Sequence, residues 1–62
     1  MGMTNLKIVR MKKGISQWKL ASQIGIDPSK LSQIETGRLE PSEDVKKACA
    51  RMLKMSVKNL FN

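Results

Sequence analysis

With 62 residues the chain has room for one small domain; such a chain buries only about 60% of the surface it exposes unfolded, so its core is thin. A composition of 40% hydrophobic and 27% charged residues excludes a disordered chain, and no apolar run approaches the roughly 20 residues of a membrane span. Twelve Lys and Arg against five Asp and Glu leave a net charge of +7, which points to a polyanionic partner; the bland alternative is a soluble surface with surplus lysine.

Helical spacing starts at once. Leu6, Val9, Arg10 and Lys13 recur at i, i+3, i+4 and i+7, with Thr4 or Asn5 as the cap and Gly14 as a left-handed stop. Ser16 caps a second segment over residues 17–24, whose inward stripe is Leu20, Ala21 and Ile24, and Gly25 ends it. Asp27 and Pro28 open a third helix, as an N-cap side chain followed by a ring that presets φ for the first turn. Leu31 and Ile34 point inward from it and Gly37 ends it. Pro41 and Ser42 begin a fourth helix with Glu43 and Asp44 in its first turn, where acidic groups complement the helix dipole. Its apolar stripe is Val45, Cys49, Met52 and Leu53. Ser56 caps a last short turn with Val57, Leu60 and Phe61. The expectation is one all-α domain over residues 1–62, built of five short helices, with no second domain beside it.

The chemistry available is limited. A lone cysteine, Cys49, allows no internal disulfide and suits a reducing cytoplasm, and without histidine a zinc site is rejected. Five carboxylates and little room for a pocket argue against an enzyme. No signal-peptide pattern opens the chain. Cys49 reads as a small core residue and the methionines as gap fillers. Residues 1–31 hold six basic and one acidic group and residues 32–62 six and four, so the positive excess lies in the first half.

The informative stretch is residues 17–36. Two helices of about eight residues are joined by Gly25-Ile26-Asp27, a three-residue turn with glycine first, which is the pattern of a helix-turn-helix unit. Ala21 permits close approach of the two backbones, and Ile26 plugs the turn against Leu31.

With those residues placed, the chain resembles the Cro/phage-repressor-like (XRE-type) helix-turn-helix family. The likeness runs over residues 5–61 without a gap. It is carried by Leu6, Arg10, Gly14-Ile15-Ser16-Gln17, Leu20-Ala21 and Ile24-Gly25-Ile26, then by Leu31-Ser32-Gln33-Ile34-Glu35, Gly37-Arg38, Pro41-Ser42, Leu53, Ser56-Val57 and Leu60-Phe61. Two positions depart from the family pattern. Lys54 stands where glycine is usual, implying a left-handed lysine at a cost on the order of 1 kcal/mol. Lys46 stands where a core leucine is common.

The resemblance implies a lambda-repressor-like fold and a transcriptional regulator, expected to be a repressor, that reads the major groove of double-stranded DNA with residues 28–35. Carried over by position, Pro28, Ser29, Ser32 and Gln33 face the bases, Gln33 being the most capable reader because its amide can bond adenine N6 and N7 together. Gln17, Lys30, Thr36 and Arg38 are implied phosphate contacts, which fix register without reading sequence; Gln17 also braces the recognition helix. The resemblance pairs Arg10 with Glu35 as a buried structural ion pair. Trp18, at a position usually polar, is read as covering the side of the second helix rather than lying on DNA or on a partner chain.

Such proteins generally dimerise, so a homodimer on a near-palindromic operator is expected, with recognition helices about 34 Å apart. Met55, Val57, Leu60 and Phe61 are the expected dimer surface. No cofactor, metal, membrane or small-molecule ligand is expected. The expected location is the cytoplasm, at the nucleoid, encoded by a bacterium or a phage. A restriction–modification controller or an antitoxin shares the fold, and a protein-interaction module is the alternative of another class. That module should lack Gln17, Gln33 and the flanking basic residues, all of which are present. RNA binding is disfavoured, since only Trp18 and Phe61 are available to stack on bases.

Overall fold

Four side chains cut the chain into helices. Ser16, Asp27, Ser42 and Ser56 each accept a backbone N–H of the first turn that follows, from Lys19, Ser29, Val45 and Asn59 respectively. Each such cap contributes on the order of 1 kcal/mol by satisfying a donor the helix leaves without a partner. The computed structural model describes residues 5–61 and contains α1 (Asn5–Lys12), α2 (Gln17–Ile24), α3 (Pro28–Glu35), α4 (Glu43–Leu53) and α5 (Val57–Leu60), with no strand among the described residues. Pro28 occupies the first turn of α3, where its missing N–H costs nothing. Gly25 closes α2 at φ 79°, a left-handed turn that glycine makes without a Cβ penalty.

The apolar stripes meet in one core of Leu6, Leu20, Ala21, Leu31, Ile34, Cys49, Leu53 and Leu60, all buried. α2 packs on both α3 and α4, while α5 folds back onto α4 and α1. Ala21, fully buried, keeps α2 close to its neighbours.

The packing corrects four expectations. Lys13 leaves the inward stripe of α1, because the helix ends at Lys12 and Lys13 stands exposed in the turn. Asn5 is the first residue of α1 and spends its side chain elsewhere, donating from Nδ2 to the carbonyl of Asn59 at 2.8 Å; Thr4, the other candidate cap, lies outside the described residues. Met52 is 39% exposed, because Cys49 and Leu53 define the buried side of α4 and Met52 sits at its margin. Leu60 is buried in the core of the single chain and has no face left for a second one.

At the end of α4, Lys54 takes φ 57° and ψ 44° and is the single non-glycine residue with positive φ among the described residues. A left-handed residue carrying a Cβ costs about 1–2 kcal/mol. Its N–H donates to Ala50, so the helix is closed in the way a glycine would close it.

Candidate nucleic-acid interface

α3 is held from below by charge. Glu35, at its last turn, is buried, and its carboxylate accepts three hydrogen bonds: Arg10 Nε to Oε2 at 2.7 Å, Arg10 Nη2 to Oε1 at 3.2 Å, and Gln17 Nε2 to Oε1 at 3.0 Å. The third arm of the guanidinium, Nη1, donates to the carbonyl of Ile15 at 2.7 Å. One network therefore ties α1, the α1–α2 turn and the start of α2 to the end of α3. A two-pronged Arg–carboxylate contact fixes orientation as well as distance. The ties from Gln17 and Ile15 span segments that no helical periodicity connects, so spacing alone gives no signal for either.

With Leu31, Ile34 and Glu35 facing down, the remaining residues of α3 face out. Ser29, Lys30 and Gln33 are exposed, and Pro28 and Ser32 are half-buried. Ser29 and Gln33 are four residues apart and share one side a turn apart. Arg38 is exposed just beyond the helix, its N–H donating to the Gln33 carbonyl at 2.8 Å. Thr36 is exposed, but its hydroxyl bonds at 3.1 and 3.2 Å to the carbonyls of Ser32 and Gln33. Its one proton is thus committed inside the helix end, and a contact to an anion through that proton needs those bonds to open. Gln17 is half-buried, with one amide proton given to Glu35 and the other remaining for an outside acceptor.

Other positions read from sequence fall elsewhere. Trp18 is 74% exposed, which overturns its reading as a packed residue. The inward stripe of α2 is Gln17, Leu20, Ala21 and Ile24; Trp18 stands about 100° from Gln17, beyond any neighbouring helix it can cover. Of the expected partner surface, Met55, Val57 and Phe61 are half-buried, with Met55 and Phe61 packed against the core. Met11, at 59% exposure, fills no gap either.

Lys46 solves its awkward position by reaching out. Its side chain, 20% exposed, lies along a cleft of about 110 Å³ between Ile34, Leu39, Pro41 and Phe61. The ammonium then meets Glu40 at 3.4 Å and Glu43 at 3.9 Å. The apolar stem covers apolar surface while the charge stays at the rim. Cys49 is buried below α3; burial, and secondly the Glu35 carboxylate, push its thiol from 9.0 up to about 11, so it stays protonated and unreactive. Among the described residues no group of three or more His, Cys, Asp or Glu side chains could hold a metal ion, and no helix is long and apolar enough to cross a membrane.

Comparison with known proteins finds a matching family and ten matching chains among solved structures, including a restriction-modification controller and a gene regulator. A family described as a helix-turn-helix domain matches residues 4–60. The restriction-modification controller protein C.AhdI from Aeromonas hydrophila is 32% identical, with TM-score 0.84, over 92% of this chain and 86% of that one. The clp gene regulator ClgR from Corynebacterium glutamicum is 31% identical, with TM-score 0.83, over 87% of this chain and 57% of that one. No curated protein sequence matches the chain.

Proposed function

The chain belongs to the helix-turn-helix domain family, and from that premise we propose that it is a sequence-specific regulator of transcription that binds duplex DNA through α3. The observation that carries this reading is the division of α3. Its lower side is locked by the Arg10–Glu35–Gln17 network, and its upper side presents Ser29, Lys30 and Gln33 to solvent. A rigid helix with an unused polar face is what major-groove reading requires.

In this reading Gln33 is the principal base reader, with Ser29, Ser32 and Pro28 beside it. Lys30, Arg38 and the free amide proton of Gln17 meet phosphates, and Thr36 supports the end of the helix rather than a phosphate. Two chains act as a homodimer on a near-palindromic operator and repress by occupying it. Met55, Val57 and Phe61 supply part of the contact, and Leu60 supports it from within. The work is binding rather than catalysis, done in the cytoplasm of a bacterium or on behalf of a phage.

A controller of a restriction–modification system is the second reading. What favours it is the match in extent to C.AhdI, where nearly all of both chains align. A methyltransferase gene beside this one, and an operator ahead of that gene, would decide for it.

Selection of binding sites from random duplex DNA tests the main reading. A defined sequence should emerge. With Lys30 and Arg38 each neutralising a phosphate, log K should fall against log salt with a slope at least as steep as about −1.8 per subunit. Enrichment of no sequence, or an affinity indifferent to salt, would overturn it.

A further inference from the structure

The indole of Trp18 stands 74% exposed and outside the core cluster, the largest apolar side chain that the described residues leave in water. It follows Gln17, the residue of α2 that reaches α3. One amide proton of Gln17 goes to Glu35 at 3.0 Å, and the other remains for an outside acceptor.

Around the indole the surface is polar and positive. Ser22 lies one turn further on the same side of α2 and Lys19 is next in the chain, both exposed. Lys12 and Lys13, exposed at the turn that leads into α2, add two more cations. Residues 5–26 hold no acidic side chain, and none of these three lysines is in an ion pair among the described residues. The carboxylates are placed elsewhere. Asp27 caps α3, Glu35 is held by Arg10, Glu40 and Glu43 meet Lys46, and Asp44 is exposed in the first turn of α4. Charge therefore selects an anionic occupant for this surface, and continuity with Gln17 selects which one.

Consecutive Cα atoms stand about 3.8 Å apart, and successive phosphates of one DNA strand advance about 3.4 Å along the axis. A strand with a phosphate at Gln17 therefore brings its adjoining sugar and phosphate beside residue 18. An indole matches them. Its N–H donates and accepts nothing, a phosphodiester accepts and donates nothing, and the apolar body of the ring suits the face of a deoxyribose. An acidic protein matches less well. Aromatic anchors of protein interfaces sit in dry pockets ringed by contacts that exclude water, whereas Trp18 has Lys19 and Ser22 beside it.

We propose that Trp18 is a backbone-contacting residue of the DNA interface, its indole laid against the operator strand that Gln17 holds, with Nε1–H donated to a phosphate. The proposal rests on the DNA-binding reading. The contact sets where α2 meets the duplex, and hence the register of α3, but reads no base. Because it neutralises no phosphate, it releases no counterion.

The chain has one tryptophan, so its fluorescence reports residue 18 alone. Acrylamide should quench the free protein readily. Quenching should fall severalfold when the selected operator is added, carried in a duplex about 10 base pairs longer than the site at each end. Trp18→Ala should bind that duplex about tenfold more weakly, the weight of one hydrogen bond to a charged group. The loss should be equal for every single-base operator variant, and the salt slope should stay that of the parent. Trp18→Phe, which keeps a ring and loses the donor, should bind with an affinity between the two.

Unchanged quenching in the complex overturns the proposal and leaves the indole to a partner protein. So does a parental affinity for Trp18→Ala, or a loss confined to one base position, which would make Trp18 a base reader. A shallower salt slope for Trp18→Ala also overturns it, since the substitution would then have displaced a cation rather than removed a neutral contact. An indole shielded in the free protein and uncovered on dilution assigns it to a second copy of the chain instead. A parent that binds no duplex removes the DNA-binding reading along with the proposal.

Discussion

The two parts of this domain share one apolar core and differ in what is added to it. Residues 5–38 supply Leu6, Leu20, Ala21, Leu31 and Ile34 to that core and add a buried polar network, in which one guanidinium and one carboxylate set the position of α3 relative to α1 and α2. Residues 43–61 contribute Cys49, Leu53 and Leu60 to that core and have no buried polar network among the described residues. Beyond the helix caps, their polar ties are the exposed Asn5–Asn59 bond and the Lys46 pairs at the cleft rim, and Lys54 keeps a left-handed backbone. Hydrogen bonds to charged groups are directional, while burial is not. The part that carries α3 therefore adds directional bonds to its share of the core, and the part after it relies on burial. This also accounts for a lysine at position 46: a cleft can accept an apolar stem with a charged tip at its rim.

Breaking the network should give the largest effect. Arg10→Ala leaves Glu35 buried without its cation and should destabilise the fold by about 3–5 kcal/mol, read by thermal or denaturant unfolding. Whatever fraction remains folded should select the same operator as the parent. A variant of unchanged melting temperature that had lost DNA binding would mean that Arg10 acts on DNA and not on α3.

Next in size is the part that relies on burial. Leu60→Ala should cost about 2–5 kcal/mol through a cavity between α5, α4 and α1. Because Leu60 is interior to one chain, the loss should persist at concentrations where the protein is monomeric. A deficit that vanished on dilution would return Leu60 to a subunit interface.

Helices, caps and the central turn were legible in the sequence because they are local. Ser16, Asp27, Ser42 and Ser56 each act within three residues, and the spacings of Leu20, Ala21, Leu31 and Ile34 declare which side is buried. Position along the chain says less about what lies opposite. Leu60 reads as surplus until α5 is seen folded onto α1, Trp18 reads as a cover until no neighbour is found for it to cover, and Met52 and Lys13 sit one step beyond where their helical faces meet the core. The pairing of Gln17 with Glu35 spans 18 residues and leaves no periodic mark. Within the candidate site, the exposed residues of α3 follow from the buried ones by subtraction, whereas the committed proton of Thr36 does not.

Cys49 sharpens the contrast, because it lies where that part meets the carboxylate of the network. Its thiol is pushed up to about 11 from 9.0. Between those values the unfolded chain releases the proton and the folded chain keeps it, so stability falls as pH rises from about 9 to about 11. Two pKa units correspond to an effect on the order of 3 kcal/mol. Cys49→Ala should flatten that part of the pH profile relative to the parent. Parallel profiles for the two proteins would show that other groups set the alkaline limit.

Recognition should be still more local. Gln33→Ala is expected to cost about 1–3 kcal/mol at one base position, seen on a panel of single-base operator variants. Lys30→Ala should weaken all of them alike and reduce the salt slope by about one unit. An unchanged specificity profile for Gln33→Ala would remove Gln33 from the reading face.

The smallest effect belongs to the largest side chain. Trp18 lies in the part that carries the network, one residue from Gln17, yet it is 74% exposed and outside the core cluster. Burial stabilises in proportion to the apolar area taken from water, and little of this indole has been taken. Side chains without a cap, a cavity or a buried partner behind them change stability by less than about 0.5 kcal/mol when replaced. Trp18→Ala should therefore unfold within that margin of the parent. The indole, as the chain's one tryptophan, should be quenched by acrylamide in the folded protein almost as readily as in the unfolded one. A loss of 2 kcal/mol or more would mean that residue size, and not membership of the Arg10–Glu35–Gln17 network, decides what is added to the core in this part of the domain.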